Sequence, residues 1–497
     1  MSQREGAPVA ARREELLRVA RAAFLERGYD GCGTRDIARR LGIQPGSLYH
    51  YIDSKEALLV EILDAVQTPG RAALEAARQA PLPADERLAS LIGAHVDVIA
   101  QDPAVIALLF AEVGALPAAE REATLHGLRA YRRGFGALVA DGVAARLLRR
   151  RPDPRLATLA CLGALNSLHR WYDPAGRRSP DELAAQFQLL LLDGLANPDG
   201  AAREPLDEDP PRVLAFAWRA GESGARSSRG TGPGAARGAR DAGEGAGRAG
   251  GDASESAGRA GGDAGEGAGR TREGAGRAGG DADAARGALL ATAGDGAGRA
   301  GGDADAARGA LLATAGDLFA TRGFEATTTR EIAAALGVSK ATLYHHIRDK
   351  QELLFALIQA AQWRSLARLE RIVAADADPA SKLRAAIAQH VLQLTGAGVG
   401  ARLLLREARA LTPQRRAIVR ADERSYTTEL AAIVADGQRV GAFRPELDAE
   451  VVALAVLGAV NWIDRWHRPD GPWPPHALAE GFADVLLDGL RAFPTKR

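Results

Sequence analysis

The residues whose types and spacing could do chemistry sit in two matching stretches. TRDIARRLGIQPGSLYHYIDSKEALL begins at Thr34 and TREIAAALGVSKATLYHHIRDKQELL begins at Thr329. Their chemistry is recognition, not bond making. The chain shows no nucleophile elbow, no paired metal ligands and no glycine loop set between a strand and a helix to cradle phosphate. Each stretch reads as two short helices joined by a tight turn. In the second, Thr328 and Glu331 make a T-x-x-E capping box ahead of IAAALG. In the first, Gly33 takes the cap position, which is less favourable. Gly42 and Gly337 then act as helix stops. The next helix starts at once, with Pro45 in the first turn of QPGSLYHYI and Ser339 as N-cap of SKATLYHHI. Two helices joined in this way form a helix-turn-helix, whose second helix enters the major groove of DNA.

The elements that must position these motifs repeat with them. A constant offset of 295 relates Thr34 to Thr329, Glu112 to Glu407, Asn166 to Asn461 and Trp171 to Trp466. The phrases VADG and LLDG recur at the same offset. The chain therefore holds two homologous units, about 8–198 and 303–495, aligned with almost no net insertion. Apolar residues recur at helical spacing in both, with no sustained alternation of the kind strands show, so both read as all-α. Between them, 199–302 repeats Gly, Ala, Arg, Asp and Glu in phrases such as AGRAGGDA. Such a segment buries too little apolar surface to offset chain ordering and reads as a disordered tether, with an r.m.s. span of roughly 50–60 Å. The 22-residue phrase GAGRAGGDADAARGALLATAGD occurs twice in succession, Gly274–Asp295 and Gly296–Asp317. The second copy runs on into LFATRGF and supplies the first helix of the second unit, with Leu311, Leu312, Ala315 and Phe319 on one face. The first copy runs into GAG and reads as a duplication without a role of its own, the alternative being a transient decoy helix that competes for the docking site of the second unit.

Composition bounds the rest. A chain of 497 residues suggests two to four domains, and its 46% hydrophobic content suits a sizeable core. The net charge of +1 announces no polyanion partner, and residues 1–60 hold ten Lys/Arg against eight Asp/Glu, so DNA binding rests on the motif alone. No run approaches the length of a membrane span, and the charged N-terminal segment is expected not to be a secretory signal. Cys32 and Cys161 are far apart, which suits a reducing cytoplasm and gives no disulfide framework or metal site.

The pattern T-x-x-[DE]-I-A-x-x-L-G-[IV]-x-x-x-[ST]-L-Y-x-[HY]-[IF]-x-x-K resembles the N-terminal domain of the tetracycline-repressor (TetR) family. It occurs twice, and 12 of the 25 positions from Arg35 to Leu59 are identical in Arg330 to Leu354. The resemblance implies an all-α fold, with a three-helix DNA-binding head and a helical ligand-binding and dimerisation domain in each unit. It implies backbone-phosphate contacts for Tyr49 and Tyr344, for Lys55 and Lys350, and for Arg35 and Arg330; such contacts position but do not read. Base readout is then expected of Gln44, Pro45, Gly46, Ser47 and His50 in one unit. In the other it falls to Ser339, Lys340, Ala341, Thr342 and His345. Lys340 can donate to guanine and Pro45 cannot, so the two half-sites should differ.

Near the end of each unit stand LGALNSLHRWYDPAG and LGAVNWIDRWHRPDG. They resemble the penultimate helix of the TetR subgroup that senses acyl-coenzyme A esters. That likeness implies ligand or interface roles for Asn166, Arg170 and Trp171, and for Asn461, Trp462, Arg465 and Trp466. His95, Glu112 and His126, with His390, Glu407 and Arg406 in the second unit, are candidate pocket polar groups. Ser167 replaces the Trp present as Trp462, so one pocket is expected to be altered.

The expected division is head 8–60, ligand domain 61–198, tether 199–302, head 303–355 and ligand domain 356–495. The expected protein is a cytoplasmic transcriptional regulator, a ligand-released repressor, not an enzyme. Its partners are double-stranded operator DNA and a small effector such as an acyl-coenzyme A. The family likeness implies a four-helix bundle that joins the units, either within one chain as a pseudo-dimer or between chains. No membrane partner, cofactor or metal is expected. The competing reading from another class is an interaction protein in which the first head has lost DNA binding and only completes the assembly.

Overall fold

The computed structural model describes residues 6–195, 300–396 and 398–491. The expected tether lies outside these residues apart from its last three, as does the Gly274–Asp295 copy. Every regular element among the described residues is a helix. The first repeat contains α1 (Gly6–Gly31), α2 (Thr34–Arg40), α3 (Pro45–Leu48), α4 (Lys55–Gln79), α5 (Ala84–Gln101), α6 (Pro103–Glu112), α7 (Ala118–Ala144), α8 (Pro154–Asn166), α9 (Leu168–Trp171) and α10 (Pro180–Leu195). The second contains α11 (Ala300–Arg322), α12 (Thr329–Leu336), α13 (Lys340–His346), α14 (Lys350–Val373), α15 (Pro379–Thr395), α16 (Gly400–Glu407), α17 (Pro413–Arg439), α18 (Ala449–Asn461), α19 (Ile463–Trp466) and α20 (Pro475–Leu490). These described residues fall into two compact units. One holds the first repeat with residues 315–328 and 347–491, and the other holds 300–314 and 329–346.

In the larger unit, Leu16 and Phe24 of α1, Ile37 of α2, Leu48 of α3 and Leu58 and Leu59 of α4 are fully buried and form the core of the first head. That core continues into Val105, Leu108 and Leu109 of α6, so the head is packed on the body beneath it. Although Gly33 has no side chain to cap α2, the Asp36 carboxylate accepts its N–H at 3.1 Å and supplies half of a capping box. α2 ends at Gly42, whose φ of +66° lets the Ile43 N–H reach back to the Ala38 carbonyl at 3.1 Å.

The smaller unit repeats this turn. Ile332, Ala333 and Leu336 are buried. Gly337 has φ +66°, and the Val338 N–H bonds the Ala333 carbonyl at 3.0 Å. The following helix differs between the copies. α13 runs for seven residues, with the Ser339 hydroxyl accepting the Thr342 N–H at 3.0 Å. α3 runs for four, its N-cap Gln44 makes no side-chain cap, and Gly46 weakens it. In α11, Leu311, Ala315 and Phe319 are buried as their spacing predicts, and Leu312 is partly buried.

The last helices of both repeats pack together within the one chain: α8 against α18, and α10 against α20. The contacts are reciprocal. Arg149 pairs with Asp488, and Arg444 with Asp193. A Cβ on Gly194 would lie 1.9 Å from the Val485 carbonyl oxygen, and one on Gly489 would lie 1.8 Å from that of Leu190. Gly163 and Gly458 play the same part where α8 crosses α18. In each pair of contacts both partners are shifted by 295, the signature of an isologous two-fold interface, here built into one polypeptide. Fully buried Leu165, Phe187, Leu190, Val456, Phe482 and Leu486 fill a core shared by both repeats.

Candidate functional site

The chain presents two kinds of candidate site, one on the heads and one in the body. On the first head, Tyr49 is 56% exposed, so it is not a core aromatic. Its hydroxyl lies 3.4 Å from the Thr34 hydroxyl, at the N-terminus of α2. Tyr344 is 44% exposed, with its hydroxyl 3.3 Å from that of Thr329, at the start of α12. Arg35 and Arg330 are exposed one residue further on. Each head thus presents a hydroxyl pair, a guanidinium and a helix N-terminus together, an arrangement suited to an anionic oxygen. Lys55 Nζ stands 3.8 Å from the centre of the Tyr29 ring. Lys350 Nζ lies 4.2 Å above Phe324 and donates to the carbonyls of Phe324, at 2.7 Å, and Glu325, at 3.4 Å. That leaves one of its three N–H groups unused by these bonds.

Gln44, Pro45, Gly46 and His50 are exposed and Ser47 is half-buried. In the second head Ser339, Lys340, Ala341 and His345 are exposed and Thr342 is half-buried. The Thr342 hydroxyl bonds that of Ser339 at 2.8 Å, and Lys340 Nζ lies 5.6 Å from the Tyr344 ring centre.

The body of the first repeat encloses an apolar cavity of about 100 Å³. α4 contributes Val66, Gln67, Gly70 and Arg71, and α5 contributes His95 and Val98. Phe110, Tyr131, Arg132 and Asn166 close it from α6, α7 and α8. Gly127 and Leu128 of α7 and apolar side chains of α5, α6 and α8 add to this wall, and Trp462 and Trp466 join it from the other repeat. A polar chain crosses the cavity wall. Tyr131 OH lies 2.9 Å from His95 Nδ1, and His95 Nε2 lies 3.2 Å from Asn166 Oδ1. Because Asn166 Oδ1 only accepts, His95 carries its proton on Nε2 and accepts from Tyr131. Burial holds the imidazole neutral, its pKa lowered to about 4. The second repeat builds the same chain from Tyr426, His390 and Asn461, at 3.3 and 2.9 Å. Neither tyrosine was singled out from the sequence. Each stands 36 residues after its histidine in both repeats, and that repeated spacing is the signal that could have found them.

Arg132 is partly buried and has no carboxylate partner among the described residues; burial and then neighbouring Arg133 and Arg129 lower its pKa. Arg465 crosses between repeats. Its guanidinium donates to the Phe110 carbonyl at 3.1 Å and lies 5.0 Å from the centres of both the Phe110 and Trp462 rings. Burial pulls it down to about 10. Arg170 crosses the other way, to Glu423 at 3.7 Å. The Trp171 indole N–H donates to the Ser167 hydroxyl at 3.1 Å. That of Trp466 is buried with no acceptor among the described residues.

Four expected pocket residues lie elsewhere. Glu112, the last residue of α6, is buried against Arg409 of the other repeat at 3.1 Å. Glu407 accepts the Phe324 N–H at 3.3 Å, Arg406 pairs with Asp464 at 2.7 Å, and His126 is exposed. The ends of α6 and α16 serve the packing of the head and the repeat interface, which is why these carboxylates do not turn inward.

α4 joins the two kinds of site. It starts at Lys55, immediately after the recognition turn, and its middle lines the cavity. Pro69 lies inside it and removes one helical N–H. The carbonyl so deprived is that of Ala65; just before it, Gln67 donates to the Leu63 carbonyl at 3.1 Å and Thr68 to that of Asp64 at 2.9 Å.

Comparison with known proteins finds the model for bacterial regulatory proteins of the tetR family at residues 16–62 and 311–357, and that for the tetracyclin repressor-like C-terminal domain at 81–195 and 376–490. The HTH-type transcriptional repressor KstR2 of Rhodococcus jostii (strain RHA1) is 33% identical over 190 residues, 38% of this chain and 93% of that protein. KstR2 of Mycobacterium tuberculosis (strain CDC 1551 / Oshkosh) is 29% identical over 180 residues, 34% of this chain and 86% of that protein. A crystal structure of AibR in complex with isovaleryl coenzyme A and operator DNA is 34% identical, covering 36% of this chain and 98% of AibR, with a TM-score of 0.35. Each relative is the length of one repeat, whereas both family models match twice; the chain belongs to the TetR family of bacterial regulatory proteins, with head and C-terminal domain each present twice in one polypeptide.

Proposed function

We propose that the chain is a one-chain pseudo-dimer, a cytoplasmic repressor that holds operator DNA with two unlike heads and releases it when an effector enters the body. The observation that carries this reading is the reciprocal packing of α8 and α10 on α18 and α20 within a single chain. In this reading 8–60 and 303–355 are the heads, 61–198 and 356–495 the ligand domains, and 199–302 the tether. Arg35, Tyr49 and Lys55 bind backbone phosphate on one half-site, and Arg330, Tyr344 and Lys350 on the other. Gln44, Pro45, Gly46, Ser47 and His50 face bases in the first major groove. Ser339, Lys340, Ala341, Thr342 and His345 face them in the second. Their difference makes the operator asymmetric, and the single-turn α3 makes the first head the weaker reader.

The proposed effector is an acyl-coenzyme A thioester. Apolar walls with two tryptophans suit an acyl chain, and Arg71 and Arg132 suit its phosphates. A space of about 100 Å³ is small beside the several hundred that ligand sites occupy. The effector therefore has to widen the cavity, and α4 carries that displacement to the head. Binding lowers DNA affinity to the extent that the widened state holds the effector more tightly. The protein acts by binding, without turnover.

Selection of bound sequences from random DNA, followed by the mass of the complex on the selected site, tests this. One chain on a site with two unlike halves is expected. Two chains on a symmetric site, or hydrolysis of an acyl-coenzyme A by the purified protein, would contradict it.

A further inference from the structure

We propose that the chain carries one working effector pocket, in its first repeat, and that the counterpart in the second repeat has been filled and reversed in charge, so that one anionic acyl ligand binds per chain. This deepens the effector reading above and rests on it for the ligand class.

The two sites share a frame, the Tyr–His–Asn chain, and differ at eleven of the sixteen other positions that line the first. Where the first has Gly70 and Val98, the second has Ser365 and Gln393, whose side chains bond each other at 2.5 Å. A Cβ on Gly70 would sit 3.6 Å from Tyr131, so the missing side chain leaves room beside the tyrosine. Gln67 turns back on its own helix, whereas Gln362 spans to the Val419 carbonyl of α17 at 3.0 Å and is buried. Polar side chains thus meet beside the histidine in the second repeat, where the first has only glycine and valine.

Charge separates the sites further. Arg71 and Arg132 of the first site are replaced by Leu366 and Thr427, while Gly127 and Leu128 are replaced by Asp422 and Glu423. Arg71 is paired with Asp64 at 2.9 Å and Glu423 with Arg170 at 3.7 Å, so among the described residues the remaining difference is one cation without a carboxylate, Arg132, lost and one carboxylate without a cation, Asp422, gained. Gln362 Oε1 and Asp422 Oδ2 are buried acceptors without a donor among the described residues. They repel an anion and would welcome a donor. The first site has the opposite surplus among the described residues: a guanidinium on Arg132 with no carboxylate partner and an unaccepted indole N–H on Trp466. The indole is orphaned because Trp462 stands where the other repeat has Ser167, the acceptor of the Trp171 N–H. Trp462 and Trp466 both wall the first site. The second repeat therefore completes the first repeat's pocket while its own is closed, and the effector acts first on the head attached to α4.

Native mass spectrometry of the full chain with acyl-coenzyme A thioesters from acetyl to palmitoyl reads the stoichiometry. One bound thioester per chain is expected, lost in a Gly127→Asp, Leu128→Glu variant that copies the second site. Two thioesters of similar affinity, or one that survives that variant, would overturn the proposal. A second readout does not depend on the ligand class. Val98→Cys and Gln393→Cys are made separately and treated with a small sulfonate-bearing thiol reagent, with urea midpoints confirming that each variant folds. Cys32 and Cys161 are buried and serve as background. Labelling at position 98 at least tenfold faster than at 393 is expected, and equal or reversed rates would overturn the proposal. If no thioester binds but position 98 labels selectively, the acyl-coenzyme A reading falls while the single open pocket stands.

Discussion

Replacing Gly489 by alanine should loosen the seam between the repeats. The added Cβ would lie 1.8 Å from the Leu190 carbonyl oxygen, where ordinary contact begins near 3.4 Å, so α20 and α10 must separate by about 1.6 Å locally. The obstacle is backbone, so no side-chain rotation relieves it. Overpacking of this kind costs about 1–3 kcal/mol. A gap of 0.5–1 Å also forfeits roughly a quarter to a half of the dispersion attraction along the contact, here between fully buried Leu190, Leu191, Leu486 and Leu487. A total near 3 kcal/mol corresponds to about a hundredfold weaker pairing. The assay is a chain with a protease site inserted between 225 and 290, cut after folding and followed by sedimentation over a dilution series. The parent halves should stay together, and the Gly489→Ala halves should part at about a hundredfold higher concentration. Because Gly194 and Gly489 guard the same crossing, the double variant should cost less than twice the single one. Equal dissociation constants for parent and variant, or an uncut chain that sediments as a dimer through this seam, would refute the reasoning.

Three further outcomes are expected. Burial lowers His95 and His169 to about 4, from an ordinary value of 6.5. Between those limits the unfolded chain binds more protons than the folded one, so stability should fall as pH drops from 6.5 towards 4 and stay level above 7, losing about 1–2 kcal/mol per histidine by pH 5; urea titrations showing no pH dependence would rule this out. Pro69→Ala restores a helical N–H at an exposed position of α4 and should raise stability by about 1–3 kcal/mol while blunting effector-driven release from DNA, read by urea midpoint and by DNA affinity with and without effector; a lower midpoint would count against it. Lys340→Ala should relax base preference by about 1–3 kcal/mol at one half-site and leave the other unchanged, whereas Tyr344→Phe should weaken all sequences alike; binding-site selection with each variant distinguishes the two, and equal effects at both half-sites would defeat the assignment.

Much of the architecture is legible in the sequence because it is local. Gly42 and Gly337 stop their helices with φ of +66°, as their places after an apolar-periodic run require. Ser339 caps α13 as its type and position imply. The offset of 295 made two repeats certain, since homologous stretches fold alike. The HRW and DRW phrases, for which the family likeness implies ligand or interface roles, stand where the repeats meet: Arg465 reaches the Phe110 carbonyl and Arg170 reaches Glu423.

What the tertiary structure decided lies in contacts that no local pattern encodes. That the two repeats pair within one chain depends on carbonyls meeting glycines almost 300 residues away. Glu112 and Glu407 are candidate pocket groups by sequence, yet they hold the seam and the head, because the direction a side chain faces at a helix end is set by what packs there. Trp462 and Trp466 belong by sequence to the second repeat and by space to the first repeat's cavity. Sequence periodicity fixes which face of a helix is buried; only the crossing of two helices fixes whose cavity that face completes.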